Sequence, residues 1–164
     1  MAREIEPKKE KIYSGVKIKQ DSIFSLEELY KLMYRWFETK GYSFSETEYR
    51  KYGTGDMVEI IWGAEKEIDN YAKITIDITF LITGLEKVEI EIEGAKSKSN
   101  KGTVEMKFDV NLILDYKKKY GPLMRKIYHS FMIKTRIEDY KKKAASDAND
   151  FFSEIRAFLK LHQF

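Results

Sequence analysis

The chain contains no cysteine, which excludes a disulfide framework, a thiolate metal site and a thiol nucleophile. Its two histidines, His129 and His162, stand thirty-three residues apart and make no local metal motif. Two prolines and nine glycines in 164 residues leave no room for a low-complexity linker. No run of eighteen apolar residues occurs, so no membrane-spanning helix is expected. The opening MAREIEPKKEK has no apolar stretch behind it; no secretory leader is expected, and the expected compartment is the cytoplasm. Gly-x-Gly-x-x-Gly, Walker-type and Gly-x-Ser-x-Gly patterns are missing, and Gly53-Thr-Gly55, with no helix behind it, reads as a turn. No catalytic residue, metal or cofactor is assigned on these grounds, and a non-enzymatic binding or assembly protein is expected.

Hydrophobic residues make up 43% of the chain and charged residues 35%, enough for one domain with a real core under an ionised surface. The net charge of +3 hides a gradient: residues 1–54 carry +2, residues 55–115 carry −6 and residues 116–164 carry +7. Such asymmetry orients a partner or is satisfied within the fold. Lys outnumbers Arg 24 to 6, a bias that suits a thermophile or an AT-rich genome.

Periodicity divides the chain into a charged mobile end (1–10), an α+β core (11–120) and a helical C-terminal part (121–164). Ile12, Ser14, Val16 and Ile18 alternate as in a strand. Ser25 and Glu28 form a capping box, and Leu26, Leu29, Tyr30, Met33, Trp36 and Phe37 continue a helical stripe that Gly41 ends, predicting a helix over 25–40. Strands are then expected over about 42–49, 57–67, 72–82, 88–92 and 104–114, the last two joined by a hairpin loop from Gly94 to Gly102. After Gly121-Pro122 the stripe Leu123, Ile127, Phe131, Ile137, Tyr140, Ala144, Ala148, Phe151, Ile155 favours one long helix of about 60 Å. The alternative is a pair of helices broken near Lys134–Glu138.

The fold class is therefore α+β: an antiparallel meander of five or six strands packed by one N-terminal helix and a long C-terminal helix. That element order resembles the helix-grip arrangement of the START and polyketide-cyclase-like superfamily. The resemblance implies a curved sheet wrapped on the C-terminal helix and a cavity for a small apolar ligand or lipid.

Four groups of residues carry the functional expectations. Glu89, Glu91 and Glu93 share one strand face at about 7 Å intervals; with Lys107 as the expected cross-strand partner, they read as a solvated face and no metal site. A basic segment interleaved with tyrosines runs through Lys117, Lys118, Lys119, Arg125, Lys126, Lys134, Arg136, Lys141, Lys142 and Lys143. It reads either as the wet face of an amphipathic helix or as a surface for phosphates, nucleic acid or a ribonucleoprotein first and an anionic membrane next. Trp36, Phe37, Trp62, Phe80 and Phe108 fall at inward positions, where they fill the core or line an apolar pocket. Phe151, Phe152, Ile155, Phe158 and Leu159 crowd apolar surface around the C-terminal helix, the place for a homodimer or protein contact.

Overall fold

At the first helix Ser25 supplies the cap and Gly41 the stop, while the Glu28 carboxylate turns to Lys31. Ser25 Oγ accepts the Glu28 backbone N–H at 3.3 Å, and Gly41, at φ 83°, closes the helix with its N–H on the Glu38 carbonyl. The computed structural model describes residues 6–161, apart from the side chains of Ile92, Ser97 and Met132. Its elements in chain order are β1 (Lys8–Phe24), α1 (Leu26–Lys40), β2 (Ser43–Tyr52), β3 (Met57–Glu67), β4 (Ala72–Ile92), β5 (Ala95–Leu114) and α2 (Pro122–Ile127). A π-helical turn (Tyr128–Met132) and α3 (Lys134–Leu161) complete the described chain. The strands form one antiparallel sheet in the order β1-β5-β4-β3-β2.

Alternation gives this sheet one apolar face. Ile74, Ile76, Ile78 and Phe80 of β4 and Val104, Met106, Phe108, Val110 and Leu112 of β5 are fully buried on it. α3 lies across β1 and β5, α1 packs by β2, and the two helices meet where Phe151 sits 4.7 Å from Phe37 and 4.9 Å from Trp36, ring to ring. Polar groups fix the seam between them. Trp36 Nε1 donates to Asp150 at 2.8 Å, and the Tyr42 hydroxyl donates to Asp147 at 2.9 Å. Lys143 reaches the other Asp147 oxygen at 2.9 Å. At the far end Ser22 Oγ donates to the Leu159 carbonyl at 3.2 Å, tying β1 to the last turns of α3.

Several expectations change. β1 begins at Lys8 and pairs Lys8–Glu10 with Leu114–Leu112, so those three residues belong to the sheet and not to a mobile end. The two segments 72–82 and 88–92 are one strand interrupted by a bulge: Thr83 faces Thr103, but Glu86 faces Lys101. Gly84, at φ 64°, supplies the left-handed residue such a bulge needs. Opposite it, a Cβ on Gly102 would lie 2.9 Å from the Thr83 carbonyl oxygen, so only glycine fits there. The extra residue flips the strand. Cross-strand neighbours share a face, so Val88, paired with Ser99, points to the outer side with Thr103 while Glu89 and Lys98 point to the inner side. The hairpin loop expected over Gly94–Gly102 shrinks to the two-residue turn Glu93-Gly94, both at positive φ. Consequently Glu89 faces Lys98 and Glu91 faces Lys96; Lys107 faces Thr79 and is no partner of Glu89.

The long C-terminal helix is present as α3, but it does not run unbroken from Pro122. The π-helical turn ends at Ile133, whose φ of −131° is not helical, and α3 starts afresh at Lys134, at the edge of the region where a break was placed.

Candidate anion-binding cleft

Two loops meet at the end of the sheet where β3 turns into β4 and β5 runs out. In the first, Ile68 and Asp69 donate their N–H groups to the Ala72 carbonyl, and Asp69 Oδ1 accepts from the Tyr71 and Ala72 N–H groups at 2.8 and 2.9 Å. The Tyr140 hydroxyl, delivered by α3, donates to Asp69 Oδ2. Burial alone would raise the Asp69 carboxyl; the Tyr140 hydroxyl, the two backbone N–H groups and nearby Arg136 outweigh it and hold the group below its ordinary range. Burial, together with the same pairing, pushes the Tyr140 phenol up to about 12.

The second loop is organised by Asp115, which is 1% exposed and sits at φ 56°. Its carboxylate accepts from the Lys119 N–H at 2.8 Å and the Tyr120 N–H at 3.0 Å. Arg125 adds Nε at 3.3 Å and Nη2 at 3.1 Å. Arg125 Nη2 also donates to the carbonyls of Glu6 and Tyr120, so the guanidinium staples α2 to the start of β1. The Tyr116 hydroxyl donates to the Asp69 carbonyl at 2.6 Å and Lys117 reaches the Asn70 side chain at 3.0 Å, which locks the two loops together.

Between them opens a cleft of about 480 Å³ lined by Asp69, Asn70, Tyr71, Asp115, Lys117, Lys119, Tyr120, Tyr128 and Arg136. Tyr120 and Tyr128 stack at 4.9 Å, and Tyr71 stands edge-on to both. Tyr71 also shares a hydrogen bond with His129 Nε2. Burial, then Lys8 and Arg125, keep the His129 imidazole below its usual range. The lining carries three cations against two carboxylates, and both carboxylates are already held by donors. α3 begins with Lys134 and Arg136 and has no acidic residue in its first turn, so its dipole adds positive potential at the same end. The arrangement is cationic with aromatic walls.

Of the ten basic candidates, Lys117, Lys119 and Arg136 converge here. Arg125 is buried against Asp115 and acts as a positioning group. Lys118 lies in the same loop at φ 56°, while Lys126 and Lys134 are exposed and do not line the cleft. Lys141 pairs with Glu138 at 3.7 Å and Lys143 with Asp147, and Lys142 is exposed further along α3, so that triplet is separate from the cleft.

The other candidates lie inside. Trp36 is 9% exposed, and Phe37, Trp62, Phe80 and Phe108 are at most 2% exposed. Phe37 and Trp36 pack on Phe151, Phe108 on Phe151 and Phe152, and Trp62 on Phe80. Of the five only Phe80 borders a described opening, a gap of about 180 Å³ shared with Phe24, Val58, Ile82 and Leu85, below the usual size of a ligand site. Trp62 Nε1 is the one buried side-chain donor without a partner among the described residues. Phe151, Phe152, Ile155 and Leu159 are buried by the chain's own sheet and Phe158 packs edge-on to Phe24. The first four side chains are core and offer no contact surface, while Phe158 is half-buried; the exposed large apolar side chains are spread over α1, β2, β3, α2, the π-helical turn and, with Leu161, the end of α3. His162 lies outside the described residues.

Compared with family models, curated proteins and solved structures, the chain matches none. No helix among the described residues is long and apolar enough to cross a membrane, and no group of His, Asp or Glu among them is placed to hold a metal ion.

Proposed function

We propose that the chain is a non-enzymatic binding protein whose cleft takes a single-stranded stretch of nucleic acid. One observation carries this reading: Lys117, Lys119 and Arg136 surround the rings of Tyr71, Tyr120 and Tyr128 while the two carboxylates between them are already hydrogen-bonded. Phosphates meet the cations, and an unstacked base meets a tyrosine face. A duplex offers phosphates but keeps its bases stacked, so single strands are favoured. The helix-grip alternative, a small apolar ligand between sheet and α3, has less support because the inward aromatics pack on one another and on α3.

The test is fluorescence anisotropy with a short labelled single strand and its duplex across a salt series. K117Q/K119Q/R136Q should lower the salt slope by about 2, at roughly 0.7 per phosphate contact on single strands. Tyr120→Leu should weaken binding about 5- to 150-fold, the range of one lost stacking contact. K141Q/K142Q/K143Q should bind almost as the native chain does. Equal affinity and slope for the cleft triple variant would remove the proposal.

A further inference from the structure

α2 has two faces with opposite characters. Arg125 is buried, and Tyr128 and His129 are half-buried on the side that closes the cleft. On the other side Leu123 is 72% exposed, Met124 57%, Ile127 44% and, in the π-helical turn, Phe131 81%. Positions 123, 127 and 131 follow one another at four-residue steps, so they make a ridge along one side. With such exposures the ridge protrudes. It is not a groove awaiting a segment.

The charge around the ridge identifies what it meets. Residues 116–136 hold seven basic side chains and no acidic one; Arg125 is paired with Asp115 and Lys117, Lys119 and Arg136 line the cleft, so the cations next to the ridge in the chain are Lys126 and Lys134, both exposed. A second copy of this chain would bring two such cationic rims together, which opposes pairing. Nucleic acid offers phosphates to the lysines but nothing to the aliphatic Leu123, Met124 and Ile127. An anionic bilayer interface accepts both: acyl chains take the apolar side chains while lysines stay at the headgroups with their stems in the apolar layer. We propose that α2 and the π-helical turn dock the protein on an anionic membrane surface through Leu123, Met124, Ile127 and Phe131. The proposal does not rest on the cleft reading, because the ridge is on the opposite side of α2.

The experiment is vesicle co-sedimentation of the full chain with phosphatidylcholine alone and with phosphatidylcholine containing about one third phosphatidylglycerol. Binding is expected on the mixed vesicles and weak binding on the neutral ones. L123S/F131S should lose about tenfold or more in vesicle affinity, with an unchanged melting temperature and unchanged oligonucleotide binding. Phe131→Trp should keep vesicle binding, shift its emission to the blue and be quenched by acyl chains brominated near the headgroup. Three outcomes overturn the proposal: no binding to anionic vesicles at low salt, binding that L123S/F131S leaves intact, or a concentration-dependent dimer that L123S/F131S dissolves. The last would make the ridge a contact between copies. Loss of oligonucleotide binding in the cleft variants, by contrast, bears only on the cleft.

Discussion

Replacing Arg125 by Met removes one member of a buried ion pair at near-constant volume. Its side chain is 11% exposed and that of Asp115 is 1% exposed, so water replaces little of what is lost. Breaking such a pair by deleting one partner typically costs about 3–5 kcal/mol, since a charge is left buried without compensation. Here the lower end applies, because Asp115 retains the Lys119 and Tyr120 N–H donors. At roughly 2–4 °C per kcal/mol for a domain of this size, a loss of about 3 kcal/mol lowers the melting temperature by about 6–12 °C. Asp115→Asn is the matching change. Asparagine tolerates the left-handed backbone at φ 56°, so the charge goes without added backbone strain. Urea unfolding of R125M, D115N and the double variant gives the coupling. The double variant should lose clearly less than the sum of the singles, because neither charge is then stranded. A loss below about 1 kcal/mol in R125M, or additive losses, would refute the account of a pair that holds the 115–120 loop.

Gly102→Ala should cost about 1–3 kcal/mol by overpacking, since its Cβ would fall 2.8 Å from Ile82 Cγ1 and 2.9 Å from the Thr83 oxygen; an unchanged urea midpoint would contradict the bulge geometry. Tyr42→Phe should lose about 1.5–3 kcal/mol, the range for a hydrogen bond to a charged group, because its hydroxyl donates to buried Asp147. His129 has a folded pKa held below 6.5, so its contribution is fully present above pH 6.5 and is lost as pH falls through the lowered value. His129→Gln should flatten urea midpoints measured from pH 8 down to 5, and a retained slope would point to another group. Tyr140, pushed up from 10.0 to about 12, contributes stability that is complete below pH 10 and fades as pH rises toward 12. An ultraviolet titration should show that late phenol, and Tyr140→Phe should remove it.

Features set by neighbours in the chain were legible. Ser25, Glu28 and Gly41 mark α1 because capping is a local bargain between a side chain and the next turn, and the alternating Ile, Val and Phe positions mark the sheet. The flip of the β4 ribbon was not legible: 72–82 and 88–92 each alternate with the right period, and the bulge between them depends on Gly102 across the ladder. The break before α3 was legible only as an alternative near Lys134–Glu138, since Ile133 continues the apolar stripe and no Gly or Pro fixes the position. In the cleft, Lys117, Lys119, Tyr120, Tyr128 and Arg136 stand in the basic aromatic segment, but Asp69, Asn70 and Tyr71 come from a turn far earlier in the chain, and no spacing rule connects the two. Lys143 is set apart by a local signal: Asp147 stands four residues on, the spacing of an intrahelical pair.

The strand order has a kinetic consequence. β1 pairs with β5 between residues 76 to 106 positions apart, from Phe24 with Asn100 to Lys8 with Leu114. The hairpins from β2 to β5 close locally and can zip as synthesis proceeds, whereas β1, made first, has no sheet partner until β5 exists. Its amides and its Ile18 and Phe24 side chains stay unprotected through that wait, a window for edge-to-edge association. The strand carries Lys8, Lys9, Lys11, Lys17 and Lys19, and lysines on an unpaired edge repel a second copy. β1 is also an edge of the finished sheet, so those five charges oppose edge-to-edge pairing both before β5 arrives and after it.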